Sequence, residues 1–160
     1  MTREQEQQQQ LERVESMCRR FLDALVIDQE IVEWCWGRHN EPRELCMDCR
    51  ARMKELGWGS EHISPDELAE AITEELRDEP LEITSCLETG DRLDPGTFEL
   101  LLCTGGPAMR VVGRVNRYGE GCDAVVQWQD WFKPWTSFQA TSGAQREALE
   151  WFCNLFCFEC

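Results

Sequence analysis

A chain of 160 residues that is 42 % hydrophobic is long enough to bury a core without staples and too apolar to be disordered. Its net charge of −15 argues against nucleic acid as a direct partner and in favour of basic ones. No apolar run approaches the roughly 18 residues of a membrane helix, and the polar first ten residues have neither the apolar core of a signal peptide nor the arginine-rich pattern of a transit peptide. The expectation is a cytoplasmic protein, of a bacterium or of a host cell, with its ten cysteines reduced, packed or metal-bound.

The acidity is regional. Residues 61–99 hold 13 acids against Arg77 and Arg92, a local net of −11, whereas residues 1–60 net −3 and residues 100–160 net −1. Such a segment is either a solvated face or a dedicated contact for a basic surface.

In chain order, residues 1–10 read as a disordered Gln/Glu tail, residues 11–79 as an acidic helical region, and residues 80–160 as a sheet closed by a helix. Both main parts are expected to share one compact domain. From Leu11 to about Trp36, Val14, Cys18, Phe21, Leu25 and Val32 recur at helical spacings, with Met17 and Leu22 widening the stripe. Gly37 is the expected stop. A second helix is expected from Pro42 to Leu56, closed by Gly57. Ser64-Pro65-Asp66-Glu67 is a capping box with proline at the first helical position. Leu68, Ile72 and Leu76 then share one face, with Glu70, Glu74, Glu75 and Asp78 turned away and Pro80 as the stop.

Leu81–Leu87 is a short strand candidate. A meander follows in Phe98–Cys103, Met109–Asn116 and Cys122–Trp131, punctuated by Thr104-Gly105-Gly106-Pro107 and Tyr118-Gly119-Glu120-Gly121. In the middle run Met109, Val111, Gly113 and Val115 alternate with Arg110, Val112, Arg114 and Asn116, the pattern of an antiparallel strand with one wet face. Ser142 to about Cys157 reads as a last helix, apolar almost all round and therefore buried on the sheet. The fold expected is α+β: N-terminal helices, an antiparallel meander of three to four strands, and a C-terminal helix packed on the sheet.

The runs Leu100-Leu101-Leu102-Cys103-Thr104-Gly105-Gly106-Pro107-Ala108, Val112-Gly113, Tyr118-Gly119-Glu120 and Gln127-Trp128-Gln129-Asp130-Trp131 with Pro134-Trp135-Thr136 resemble a family of small uncharacterised proteins encoded in phages and prophages of proteobacteria. The resemblance covers about residues 81–158. Here Cys86-Leu87 stand where that family usually has Gly-Trp, and Phe156-Cys157-Phe158-Glu159 where relatives end in Phe-Tyr-Phe-Gly. The resemblance implies no activity of its own. A mobile-element origin implies a small acidic protein that blocks host defence.

Several constellations invite chemistry. Cys35, His39, Cys46 and Cys49 place four potential ligands within fifteen residues, with the two-residue knuckle that zinc favours. The alternative is that the cysteines pack and His39 lies in a loop. Cys153, Cys157 and Cys160 share a helical face but are one ligand short of a site and read as packing. His39 and His62 sit in no nucleophile motif, Thr104-Gly105-Gly106-Pro107 lacks the lysine of a phosphate loop, and no enzyme is expected. Trp128, Trp131, Phe132, Trp135 and Phe138 read as core between sheet and last helix or, if exposed, as an interface anchor.

The leading expectation is a non-enzymatic binding protein of mobile-element origin, monomer or homodimer, without cofactor. It would present Glu70, Glu74, Glu75, Asp78 and Glu79 to a basic host protein, such as the nucleic-acid channel of a defence complex, as a DNA mimic of the anti-CRISPR or anti-restriction type. The alternative is a zinc-stabilised structural or adaptor domain built on Cys35, His39, Cys46 and Cys49.

Overall fold

The computed structural model describes residues 1–37, 47–57, 64–86 and 96–158. The first element is a long helix, α1 (Arg3–Gly37). At 1.5 Å per residue its 35 residues reach about 52 Å. It starts eight residues before the expected position and runs through the segment read as a disordered tail. Gln, Glu, Arg and Leu are good helix formers, and no glycine or proline interrupts them before Gly37. Thr2 helps to open it, its Oγ1 accepting from the Gln5 N–H at 3.3 Å. Val14, Cys18, Leu22, Leu25, Val32 and Cys35 form its buried stripe.

A short helix, α2 (Met47–Glu55), follows. The expected Gly57 stop is present with φ +74, a left-handed value that glycine adopts without a Cβ penalty. Residues 42–46 of the expected helix lie outside the described residues. The third helix, α3 (Pro65–Asp78), carries the full capping box. Ser64 Oγ accepts from the Glu67 N–H at 3.2 Å while Glu67 Oε2 accepts from the Ser64 N–H at 3.0 Å. Its Leu68, Ile72 and Leu76 are buried, as the spacing requires.

The sheet has five antiparallel strands in sequence order: β1 (Glu82–Cys86), β2 (Gly96–Cys103), β3 (Ala108–Val115), β4 (Gly121–Gln129) and β5 (Thr136–Phe138). The meander is therefore longer than the expected three to four strands by the three-residue β5, which pairs Val126 with Phe138 and Trp128 with Thr136. Bulges interrupt β2/β3 at Leu101/Cys103 and β3/β4 at Val112/Arg114. At the second, Asp123 takes φ 52 and gives β4 its extra residue. Gly113 is required there because a Cβ would run into the Phe98 ring, which stacks on Phe158 at 4.5 Å between centroids. Among the described residues β1 is an edge strand that pairs with β2 alone, with all five of its residues exposed.

The last helix, α4 (Gly143–Cys153), starts at the expected Ser142 cap but ends at Cys153, four residues short of the expected Cys157, and the chain turns so that the Phe158 N–H reaches Gly119 O at 3.2 Å. It covers β4 and packs on α1, where Phe152 meets Phe21 edge-on at 5.6 Å. Buried Gln145 ties α4 to α1 by donating from Nε2 to Asp23 Oδ1 at 2.8 Å. α1 thus lies between α3 and α4, and one core joins Leu22 and Leu25, Leu68 and Ile72, Leu100, Val111 and Val126, and Phe152. The architecture is α+β.

Candidate functional site

Burial of Leu68, Ile72 and Leu76 dictates the opposite side of α3. Glu70, Glu74, Glu75, Asp78 and Glu79 are all exposed. Glu70, Glu74 and Asp78 stand at steps of four, about 6 Å apart along the axis. Among the described residues, no ion pair or hydrogen bond engages the carboxylates of Glu70, Glu74, Asp78 or Glu79. The arrangement works against the helix. Like charges four apart repel by about 0.2–0.5 kcal/mol per pair, and four of the five carboxylates crowd the C-terminal half, the negative end of the helix dipole. Arg77, in the same last turn, forms no described ion pair with them; its Nε donates to Leu155 O at 3.2 Å.

Glu75 is the exception. It turns towards α2, where Arg52 reaches three carboxylates: Asp28 Oδ1 at 2.9 Å, Glu75 Oε2 at 2.9 Å and Glu55 Oε2 at 3.2 Å. This cluster was not legible in the sequence, because its members come from three helices. Asp28 is buried. Burial pushes its carboxyl up to about 6, outweighing the downward pull of Arg52, and nearby Glu75 adds to the rise. Burial works against the charge of Arg52, yet Asp28 and Glu75 more than offset it and its pKa is raised.

The open face of the sheet is charged too, but its charges are paired. Arg110 donates to Glu99 Oε2 and to Gln127 Oε1, each at 2.9 Å, and lies 4.0 Å from the Trp135 ring centroid. Arg114 donates from Nε to Asp123 Oδ2 at 2.8 Å. Trp135 therefore covers an arginine on the open face. Phe138 is buried and Trp128 half-buried against the core, whereas Trp131 and Phe132 are exposed.

Of the four proposed metal ligands, Cys35 and Cys49 are buried, each 1 % exposed, on the adjoining helices α1 and α2. His39 and Cys46 lie outside the described residues. Among the described residues no three His, Cys, Asp or Glu side chains group as a metal site. Three thiols are made poorer nucleophiles by their surroundings. Burial pushes Cys18 and Cys153 up to about 12 and also raises Cys103. Cys153 packs in the core, Cys157 is exposed, and Cys160 lies outside the described residues.

The two motifs richest in Gly, Trp and Pro meet in space. The indole of Trp131 lies over Gly106, where a Cβ would fall inside the ring. Asp130 fixes the loop, its Oδ1 accepting from the Trp131 N–H at 2.9 Å and its carbonyl from the Lys133 N–H at 3.0 Å. This turn and the N-terminal half of α1 line an open cavity of about 660 Å³. Sequence spacing gave no sign of it, since its two walls are some hundred residues apart. No helix among the described residues is long and apolar enough to cross a membrane. Compared with known protein families, curated proteins and solved structures, the chain matches none.

Proposed function

We propose that this chain is a non-enzymatic binding protein that lays the outer face of α3 against a basic surface of another protein. The observation that carries this reading is the row Glu70, Glu74 and Asp78, continued by Glu79: exposed carboxylates without described counter-charges, kept where the helix dipole and mutual repulsion oppose them. A surface that only needed solubility would gain stability from interspersed lysines. A row of carboxylates on a rigid helix instead reproduces the repeating charge of a nucleic-acid backbone, and a basic groove gains from covering it by releasing its counterions. With the resemblance to phage and prophage proteins, the reading becomes a mobile-element protein of the host cytoplasm that occupies the nucleic-acid channel of a host defence complex, of the anti-CRISPR or anti-restriction type.

The test is a pull-down from host lysate at low and high salt, run in parallel with Glu70→Lys/Glu74→Lys/Asp78→Lys. The expected result is a nucleic-acid-binding protein captured by the parent at low salt only and lost in the triple variant. Equal capture by both forms sinks the reading.

The buried placement of both Cys35 and Cys49 on adjoining helices favours a second reading, a zinc-stabilised structural or adaptor domain in which His39 and Cys46 complete the ligand set. It expects about one zinc per chain after dialysis and a melting temperature that falls on chelation. A metal-free protein with an unchanged melt removes it.

A further inference from the structure

The cavity between α1 and the Gly106–Lys133 turns is unrelated to the acidic face of α3, and its chemistry is of the opposite kind. Leu11 and Met17 of α1 and Pro107, Trp128 and Trp131 of the sheet end give it apolar and aromatic walls. Arg13 and Lys133 bring two cations to the same space. Arg13 engages no described carboxylate. Lys133 holds Asp130 only at 3.5 Å, with both side chains partly open to solvent. In a chain of net charge −15, two cations against one acid make a local reversal of sign. The volume of about 660 Å³ lies within the range of small-molecule sites, which pair apolar walls with a few convergent polar groups.

The loop at the mouth is held in a costly conformation. Phe132 is fully exposed and takes φ 59, a left-handed value that is unfavourable for a non-glycine residue. Trp131 beside it is 62 % exposed, with the two ring centroids 6.1 Å apart. Burial of apolar surface within the chain does not account for this loop. Asp130, the Gln129 Nε2 bond to Lys133 O at 2.7 Å and the glycine seat at 106 fix it nonetheless. Such pre-set aromatic groups lower the ordering cost of binding.

We propose that this cavity is a binding site for a small aromatic anion, a planar ring linked to a phosphate or a carboxylate. The ring packs against the Trp131 indole and the Pro107 wall, and the anion lies between Arg13 and Lys133. The site is independent of the α3 surface, so either can fail without the other.

Isothermal titration of the full chain with AMP and with indole-3-acetate tests it, with adenosine and inorganic phosphate as single-feature controls. The expected result is one-to-one binding of at least one of the two aromatic anions; which of them binds tells phosphate from carboxylate recognition. Each control should bind at least about tenfold more weakly. Arg13→Gln/Lys133→Gln should weaken the anion about tenfold at an unchanged melting temperature, and Trp131→Ala, at an exposed position, should weaken it as well. Absence of binding by both anions overturns the proposal, as does adenosine binding as tightly as AMP, or a double variant indistinguishable from the parent.

Discussion

The open face of the sheet and the outer face of α3 are both charged, but they treat charge in opposite ways. On the sheet each strand arginine is matched: Arg110 to Glu99, Gln127 and the Trp135 ring, Arg114 to Asp123. On the outer face of α3, Glu70, Glu74 and Asp78 stand in a row with no described ion pair, and Glu75 beside them turns to Arg52. A closed set of charges stabilises the fold and offers little to a partner. An open set costs the fold a little and is available outside. Composition alone could not have separated the two, since both faces are rich in ionisable side chains.

The largest effect should come where a closed set lies deepest. Arg52→Ala leaves Asp28 buried without its counter-charge and should cost about 3 kcal/mol in chemical denaturation. A loss near zero would mean that α2 is not held through this cluster. Next comes its titration. The folded-state pKa of Asp28, about 6, lies above its ordinary value of 3.8. The folded state therefore holds the proton more tightly, and this stabilising contribution is complete below pH 3.8 and lost as pH rises through about 6. Asp28→Asn should remove a change on the order of 3 kcal/mol from the stability–pH curve across that window.

Arg110→Ala, on the sheet, should cost about 1 kcal/mol through the lost ion pair and ring contact. The smallest effect belongs to the open set and carries the opposite sign. Asp78→Lys places a cation at the C-terminal end of α3, four residues after Glu74, and should raise stability by about 0.5 kcal/mol. If it destabilises instead, the row on α3 is not open, and the contrast between the two faces collapses.

How much of this the sequence could reveal depends on the range of the forces involved. The capping box at Ser64, the Leu68/Ile72/Leu76 stripe and the alternation of β3 are local patterns, and the structure reproduces them. The helix across residues 3–10 was missed because apolar periodicity was the signal sought, whereas Gln and Glu form that segment by propensity. β5 was missed because three residues between Trp135 and Gln139 are too few to show a period. The carboxylates of α3 were legible because an apolar face on a helix fixes its opposite. The Asp28–Arg52–Glu75 cluster and the cavity beside Trp131 were not, since each joins elements far apart in the chain.

Among the described residues no strand pairs with the outer edge of β1, which has a consequence for handling the protein. Beside exposed Leu81 and Ile83, that edge is a ready template for strand-to-strand aggregation. At neutral pH the high negative charge keeps such edges apart. Near pH 4.5, where the chain's charge vanishes, that colloidal barrier disappears, and precipitation through β1 should set in before the domain unfolds.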